Sequence, residues 1–193
     1  GNAKIWSRLA GLPDDAFVHD GKLTKREVRA ATLAALAPAP DQILWDVGAG
    51  CGSIGIEWMR STRGCEAYAI EPLEDRRAMI ATNADQLGTP RLHVVPLAAH
   101  DAYISLPRPH AVFIGGGLSA EGTFEGAWDA LLSGGRMVAN VVTIEGEMHL
   151  YDLQEKHGGE LVRMEVSLLT KVGPHRALKP RMAVTQWRTL KPW

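Results

Sequence analysis

Short apolar runs alternate with amphipathic segments along the chain, and this alternation predicts its secondary structure. Apolar runs predict strands, and segments whose apolar residues recur every three or four positions predict helices. The predicted strands cover residues 42–47, 66–71, 91–96, 110–115, 135–142, 160–170 and 181–189. The predicted helices cover residues 3–10, 25–36, 53–61, 73–87, 98–105, 119–132 and 145–157. Such alternation is typical of an α/β fold, in which helices cover both faces of a mostly parallel sheet.

The last two predicted strands follow each other without a helix between them. Their connection, residues 173–180, contains Gly173, Pro174 and Pro180. Because short connections rich in turn residues join antiparallel strands, we predict a seven-stranded sheet with a terminal antiparallel hairpin at its edge. We further predict one domain over residues 1–193, with a helical cap region at 1–40 and a Rossmann-like core at 41–193.

A glycine-rich segment follows the first predicted strand. Asp46-Val47-Gly48-Ala49-Gly50-Cys51-Gly52-Ser53-Ile54-Gly55 comes directly after the apolar run 42–45. Glycines let the backbone turn tightly and approach a ligand, and the first N–H groups of a new helix bind anionic groups. Glu71 ends the second predicted strand, where a carboxylate can accept hydrogen bonds from ribose hydroxyls. The segment therefore predicts a site for a nucleotide-like cofactor.

Two classes of cofactor fit this segment. Gly50-x-Gly52-x-x-Gly55, with Glu71 near the expected offset of about 20 residues, matches the dinucleotide fingerprint. Three observations argue against a nicotinamide enzyme: Asp46 precedes the glycines, about forty residues with helical character precede the first core strand, and no Tyr-x-x-x-Lys pair occurs. They favour S-adenosylmethionine, with S-adenosylhomocysteine as its product, and leave an NAD-binding oxidoreductase as the alternative.

Composition and charge limit the classes of partner. The formal net charge of −1 over 193 residues gives no reason to expect a nucleic acid or an anionic membrane as partner. Cys51 and Cys65 lack a metal-binding spacing, and so do the seven histidines, so we predict no metal site. There is no signal peptide and no run of about 18 apolar residues, so we expect a cytoplasmic protein.

Several blocks of the chain resemble the C15-methylating, decarboxylating precorrin methyltransferases of corrin (cobalamin, vitamin B12) biosynthesis. The blocks are GLPD (11–14) with LTKREVR (23–29), WDVGAGCGS (45–53), AVFIGGG (111–117) and GGRMVANVVTIE (134–145). PRMAVTQW (180–187) is similar to members in which such a domain follows a C5-methylating one. The resemblance covers nearly the whole chain. It implies a class I S-adenosylmethionine-dependent methyltransferase fold, a homotetramer, and a chain that is the C-terminal part of a larger bifunctional polypeptide.

The resemblance also implies an activity, the transfer of a methyl group to C15 of a precorrin while the C12 acetate side chain on ring C loses carbon dioxide. Methylation of tRNA or protein by the same fold, and a cofactor-binding scaffold without activity, are the other hypotheses. The fourth strand ends without the Asn- or Asp-Pro-Pro-aromatic motif of enzymes that methylate base amino groups, which disfavours nucleic acid. Gly117-Leu118 and Arg181-Met182-Ala183 depart from the family pattern and concern substrate contacts more than cofactor binding.

The predicted cofactor contacts lie in the glycine segment and at the ends of neighbouring strands. Asp46 can orient the loop through backbone N–H groups or bind the ammonium group of the cofactor. Thr24 and Glu27 form a capping box at a helix start, and the resemblance also places Thr24 over the cofactor. It implies that Ala98 holds the adenine through backbone groups. The predicted set is Thr24, Asp46, Gly48, Ala49, Gly50, Cys51, Gly52, Ser53, Glu71, Pro72 and Ala98.

The predicted substrate contacts are chosen for a macrocycle that carries many carboxylates. Such a substrate needs basic residues near the open end of the sheet, among which Arg29 and Arg181 rank highest. Glycines after the fourth strand leave room for a flat acceptor and expose N–H groups to a carboxylate. The predicted substrate set is Lys25, Arg29, Gly115, Gly116, Gly117, Thr143, Lys179 and Arg181. Glu145 is predicted to handle a proton, and Asn140 is the second candidate catalytic residue.

Overall fold

The computed structural model describes residues 6–193, which form nine strands, six α-helices and two short 3-10 turns. The strands are β1 (Ile43–Val47), β2 (Glu66–Ile70), β3 (His93–Val95), β4 (Ala111–Ile114), β5 (Arg136–Val141), β6 (Glu160–Met164), β7 (Ser167–Val172), β8 (His175–Pro180) and β9 (Val184–Leu190). The helices are α1 (Arg26–Leu36), α2 (Ser53–Ser61), α3 (Glu74–Gln86), α4 (Ala99–Ala102), α5 (Thr123–Ala130) and α6 (Ile144–His157). The 3-10 turns are Asp14–Ala16 and Tyr103–Ser105.

Seven of the strands form one sheet in the order β3-β2-β1-β4-β5-β9-β6. The first five strands of this order are parallel, and β9 is antiparallel to both of its neighbours. Val47 of β1 pairs with Ile70 on one side and with Ile114 on the other, so these strands end at the same edge. The loops that follow β1, β2 and β4 therefore meet there, which is where open α/β sheets bind ligands.

Side chains of the central strands alternate between two apolar cores, one on each face of the sheet. Leu44, Phe113 and Val138 belong to the core that α1, α2 and α3 cover. Trp45 and Val112, their neighbours along the strands, belong to the core that α4, α5 and α6 cover. Because both faces are covered, β4 is buried at every position, which explains its uninterrupted apolar sequence.

The α/β architecture predicted from the sequence is confirmed, including the seven-stranded sheet and the antiparallel pairing of its last two strands, β6 and β9, at one edge. The connection between these two strands was predicted incorrectly. The predicted strand 160–170 is two strands, β6 and β7, and the predicted connection 173–180 contains β8. The strands β7 and β8 pair only with each other, as a separate antiparallel sheet joined by a turn at Gly173-Pro174. Moreover, β9 lies between β5 and β6, so β6 is the edge strand and the final strand is internal.

The helix predicted at residues 3–10 is also wrong where the structure describes it. Residues 6–10 contain no helix, and residues 1–5 lie outside the described part of the chain. The remaining six predicted helices are found, with ends that differ by at most four residues. Between residue 6 and α1 the chain is irregular except for one 3-10 turn, so the predicted helical cap region holds a single α-helix among the described residues.

Candidate functional site

The glycine segment forms a tight turn between β1 and α2. The N–H groups of Gly48 and Ala49 both donate to the carbonyl of Ile70, at 3.0 and 3.2 Å, and so tie the turn to the end of β2. Gly48, Gly50 and Gly52 have φ angles of 68°, 60° and 82°, a left-handed region that disfavours residues with a Cβ atom. The predicted succession of strand, glycine turn and helix start is confirmed.

The glycines after β4 lie close to this turn. A Cβ atom on Gly48 would lie 2.9 Å from the backbone of Gly116, closer than real side chains come. Two predicted groups, the cofactor turn and the Gly115–Gly117 loop, are therefore in direct backbone contact. Gly117 has a φ of 75° with no atom near its would-be Cβ, so it faces free space.

Asp46, at the carboxyl end of β1, is almost fully buried, with 1% of its surface exposed. Its Oδ2 accepts a hydrogen bond of 2.9 Å from the N–H of Gly55 in the first turn of α2, whereas its Oδ1 is buried without a partner. Burial, aided by the nearby Glu71 carboxylate and opposed by the Gly55 bond, raises the pKa of Asp46 to about 7. The backbone contact is the first of the two roles predicted for Asp46; binding of an ammonium group stays a prediction.

Glu71, one residue beyond β2, binds the same turn. Its Oε2 accepts from the N–H of Gly50 at 2.9 Å, and its Oε1 accepts from the N–H of Leu73 at 3.1 Å. Arg76 lies 3.8 Å from Oε2. The carboxylate is 2% exposed, which fixes its orientation. Each carboxylate oxygen can accept a second bond, so the predicted role toward ribose hydroxyls is compatible with this geometry.

One small cavity brings many of the predicted cofactor residues together. Its volume is about 30 Å³, and Thr24 and Gly115 contribute to its wall together with the turn itself. The lining residues are Lys22, Leu23, Thr24, Gly48, Ala49, Gly50, Cys51, Ser53, Ile54, Phe113 and Gly115. A wider cleft of about 570 Å³ lies beside it, between residues 20–22 and the start of α3. Burial raises the pKa of the Cys51 thiol to about 11, so Cys51 is an uncharged wall residue at neutral pH.

Arg29 does not have the predicted role of a substrate contact. It is completely buried, and its Nε donates to Glu57 of α2 at 2.7 Å. Its other hydrogen bonds go to the Asp14 carboxylate and to the carbonyls of Leu12 and Thr24. A guanidinium with this many internal acceptors has no surface left for a substrate carboxylate. The sequence did contain a signal for this buried, structural role: Arg29 lies beside Val28 on the buried stripe of α1.

The capping box predicted at Thr24 is also absent. The N-terminal cap of α1 is Lys25, and no side chain bonds the first N–H groups of the helix there. Glu27, the other half of the predicted box, instead receives a hydrogen bond of 3.2 Å from Arg181. Thr24 nevertheless lines the cavity, as its predicted contact with the cofactor requires.

The catalytic and substrate residues predicted at the end of β5 and directly after it lie in different environments. Asn140 donates to the Thr32 hydroxyl at 2.9 Å and accepts from Gln186 at 2.9 Å, so its amide is held between α1 and β9. Thr143 caps α6, because its hydroxyl accepts from the N–H of Gly146 at 3.1 Å. Glu145 is exposed in the first turn of α6. Their contacts with a substrate stay predictions.

The other predicted contacts lie around this edge or on the β7–β8 sheet. Pro72 and Ala98 are exposed in the loops after β2 and β3. Lys25 donates to the carbonyl of Gly21 at 3.3 Å, and Lys179 is exposed on β8. Arg181, 30% exposed at its side chain, also lies 3.7 Å from Asp14.

Across residues 6–193 no three His, Cys, Asp or Glu side chains are placed to hold a metal ion, and no helix is long and apolar enough to cross a membrane.

The order of the strands in the sheet, the glycine turn after β1 and the acid Glu71 after β2 together define a class I methyltransferase fold. This fold is shared with an S-adenosylmethionine-dependent O-methyltransferase from Thermotoga maritima, at a TM-score of 0.73 and 14% identity over 89% of this chain and 67% of that one. Within this class, the model of the precorrin methyltransferase domain family matches residues 15–191, and the chain belongs to that family.

Two relatives with higher identity agree with this assignment. The chain is 48% identical over 189 residues to precorrin-6Y C(5,15)-methyltransferase [decarboxylating] of a Sinorhizobium species, covering 98% of this chain and 46% of that protein. It is similar to the C-terminal domain of the Rhodobacter capsulatus precorrin-6Y enzyme, at a TM-score of 0.90 and 41% identity over 96% of this chain and all of that one. The chain thus spans about half the length of the longer curated relatives that it matches.

A shorter relative matches along almost its whole length. The chain is 32% identical over 179 residues to a probable cobalt-precorrin-6B C(15)-methyltransferase (decarboxylating) of Pyrobaculum aerophilum, covering 88% of this chain and 90% of that protein. The name of that relative assigns it one methylation site, whereas the names of the longer relatives assign them two.

Proposed function

We propose that this chain transfers the methyl group of S-adenosylmethionine to C15 of a precorrin, and that the C12 acetate side chain on ring C loses carbon dioxide in the same process. The match with the single-site Pyrobaculum protein supports C15 as the methylated carbon, because that protein has about the length of this chain. The half of the longer relatives that this chain matches then corresponds to the C15-methylating, decarboxylating activity.

One observation carries the choice of cofactor: the cavity wall joins the glycine turn to Thr24 and Gly115, and two buried carboxylates support that turn. The unpartnered Oδ1 of Asp46 is the acceptor that we propose for the ammonium group; it lies buried behind the turn and does not line the cavity itself. Glu71 is oriented to accept ribose hydroxyls, and the start of α2 offers N–H groups to a carboxylate. S-adenosylmethionine carries an ammonium, a carboxylate and a ribose, so the residues present fit it.

When bound, the cofactor supplies an electrophilic methyl group on a sulfonium. The protein then has to align the acceptor carbon and exclude water, which is catalysis by positioning. Gly115, Gly116 and Gly117 leave backbone space beside the turn for a flat acceptor. The decarboxylation breaks the bond between the acetate methylene and its carboxylate, the macrocycle accepts the electron pair, and a proton takes the place of the lost group. Glu145 is our candidate for handling that proton, and Asn140 is the second candidate catalytic residue.

The basic residues proposed for the substrate are Lys25, Lys179 and Arg181. Lys179 is exposed on β8 and free to reach a carboxylate. Arg181 is bound to Glu27 and lies near Asp14, so a substrate carboxylate would have to compete with these acids. The proposal also includes a cytoplasmic location and, from the family resemblance, assembly into a homotetramer, which light scattering tests.

The test begins with calorimetric titration of S-adenosylmethionine, S-adenosylhomocysteine and NAD into the protein. We expect the two adenosyl ligands to bind and NAD not to bind. A C5-methylated precorrin incubated with protein and S-adenosylmethionine should then yield a product that has gained one methylene and lost one carbon dioxide by mass. Binding of NAD alone would overturn the proposal, and adenosyl binding without turnover would redirect it to another acceptor.

The ribose assignment has its own test, Glu71→Ala. Glu66→Ala is the matched control, because Glu66 is an exposed acid at the opposite end of the same strand. Glu71 also holds the Gly50 N–H, so loss of affinity alone does not identify the ribose contact. A 2′-deoxy analogue of S-adenosylhomocysteine separates a ribose contact from an effect on the Gly50 N–H. In the wild type the analogue should bind more weakly than S-adenosylhomocysteine. In Glu71→Ala this difference in affinity should vanish.

A further inference from the structure

Residues 11–24, here called the strap, run from the N-terminal part of the chain to α1 and end at the cavity. Its first residues are held by α2, because the N–H groups of Gly11 and Leu12 donate to the Glu57 carboxylate at 2.7 and 3.0 Å. Its last residue is held by α1, because Arg29 donates to the carbonyl of Thr24. Both ends of the strap are thus fixed by buried side chains.

The middle of the strap is held by Asn83 of α3, which is completely buried. The Oδ1 of Asn83 accepts from the N–H of Val18 at 2.7 Å, and its Nδ2 donates to the carbonyl of Val18 at 2.9 Å. The second Nδ2 hydrogen goes to the carbonyl of Cys51, at 3.0 Å, in the glycine turn. One amide therefore bonds the strap and the cofactor turn at the same time.

Few side chains can replace this amide, since the site needs two donors and one acceptor at fixed positions. A carboxylate has no donors, and an aliphatic side chain would leave the Val18 and Cys51 carbonyls without their partner. The Val18 side chain itself is 47% exposed, so its own burial contributes little. Its neighbour Phe17 is buried in the core, and the Asn83 amide fixes the backbone of Val18 next to that anchor. Four residues later the strap reaches Lys22, Leu23 and Thr24, which line the cavity opposite the turn.

We propose that Asn83 is a positioning residue for cofactor binding: it ties the strap to the glycine turn and thereby keeps Lys22–Thr24 in place as one wall of the cofactor cavity. This inference rests on the proposed function, because it takes the adenosyl cofactor to bind against that wall, with only part of the cofactor inside the cavity of about 30 Å³. Asn83 acts through the backbone of Val18 and Cys51 and does not line the cavity itself.

Two variants and one control test the proposal. Asn83→Leu removes all three bonds, and Asn83→Asp keeps an acceptor but loses both donors. Trp187→Phe is the control: Trp187 is also completely buried and donates to one backbone carbonyl, that of Gly158 at 2.9 Å, but it belongs to the core on the opposite face of the sheet. Each protein is titrated with S-adenosylhomocysteine well below its melting temperature, so that a loss of global stability does not affect the measured Kd.

We expect Asn83→Leu and Asn83→Asp to raise the Kd for S-adenosylhomocysteine at least about tenfold, the equivalent of about 1.4 kcal/mol. Trp187→Phe should lower the melting temperature without changing the Kd. Hydrogen exchange of the ligand-free proteins supplies a second measurement: the Val18 amide should exchange about tenfold faster or more in Asn83→Leu, because it loses its acceptor.

The outcomes separate this proposal from the proposed function. If the wild type does not bind S-adenosylhomocysteine, the proposed cofactor is wrong, and exchange of the Val18 amide still shows whether Asn83 holds the strap. If the wild type binds and both Asn83 variants bind as tightly as Trp187→Phe, the positioning role is overturned. If one Asn83 variant fails to fold, the other decides.

Discussion

The cofactor end of the molecule and the β7–β8 sheet are built in opposite ways, although both were predicted to contact ligands. At the cofactor end several charged or polar side chains are buried and bonded to backbone; they are Arg29, Glu57, Glu71 and Asn83. On the β7–β8 sheet every residue is exposed except the half-buried Thr170, and neither strand pairs with the main sheet. The burial of a charged residue therefore indicates its role better than the residue type does.

The largest expected effect separates two arginines that share the acid Asp14. Arg29→Met leaves the buried Glu57 carboxylate without its cation, and we expect the free energy of unfolding to fall by about 3–5 kcal/mol. Arg181→Met removes ion pairs of a partly exposed side chain and should lower it by no more than about 1 kcal/mol. Urea unfolding of both variants measures the difference. Equal losses would mean that burial does not distinguish the two arginines.

The second prediction compares two glycines near the cavity. Gly48→Ala places a Cβ 2.9 Å from the Gly116 backbone at a φ of 68°. The clash adds to the left-handed strain, so we expect a loss of about 2–4 kcal/mol together with loss of S-adenosylhomocysteine binding. Gly117→Ala has the strain without the clash and should cost about 1–2 kcal/mol with binding retained. Calorimetric titration alongside thermal unfolding tests the pair; a Gly48→Ala protein that still binds would contradict the close contact.

The third prediction concerns pH and Asp46. Its pKa is about 7 in the folded protein, against 3.8 for an unperturbed aspartate. Between these two pH values Asp46 is therefore protonated in the folded protein and ionised in the unfolded chain. The free energy of unfolding should therefore decline as the pH rises through this window and level off above it. Asp46→Asn should remove this decline and make the protein more stable above pH 7, by at most about 4 kcal/mol, while weakening cofactor binding.

Thermal unfolding across pH, with Asp20→Asn as control, checks this sign. Asp20 is partly exposed, and its pKa is lowered, chiefly by the Lys22 backbone N–H, so its replacement should bring no gain at neutral pH. An Asp46→Asn protein whose stability keeps the wild-type pH dependence would show that Asp46 is ionised in the folded state. Glu71 and the Cys51 thiol are the titratable groups that interact with Asp46, and both stay in place in the variant.

The same contrast explains what the sequence could predict of the fold. The spacing of apolar residues along a helix or strand reflects which side chains are buried. The strands β1, β4 and β5 have a core on each face, and their predicted ends lie within one or two residues of the observed ends. Residues 167–172 and 175–180 have no core, and their pattern could not mark where β6 ends and a separate sheet begins. The position of β9 between β5 and β6 depends on long-range pairing that a local pattern does not contain.

For the site, the sequence was informative where the backbone alone sets the chemistry. The glycine turn was predicted because a close approach and a positive φ require glycine. Asn83 was missed because its partner Val18 lies 65 positions away, and nothing local in α3 marks an amide that bonds two other segments. Arg29 was assigned to substrate because charge was weighed above its place on the buried stripe of α1.

The smallest expected change in stability, and the sharpest test of the β7–β8 sheet, comes from two lysines on its opposite faces. Lys179 pairs with Leu168 on the face that includes the half-buried Thr170, and Lys171 pairs with Arg176 on the other face. Both are exposed, so Lys179→Gln and Lys171→Gln should each change the free energy of unfolding by no more than about 0.5 kcal/mol.

Their effects on catalysis should differ. If the face of Lys179 meets the precorrin carboxylates, Lys179→Gln should raise the KM for the precorrin and leave the Kd for S-adenosylhomocysteine unchanged, whereas Lys171→Gln should alter neither. Steady-state kinetics at saturating S-adenosylmethionine measures the first quantity and calorimetry the second. Equal kinetics in the two variants would remove Lys179 from the substrate site, because both side chains are exposed lysines that differ in the face they occupy and in their distance from the turn.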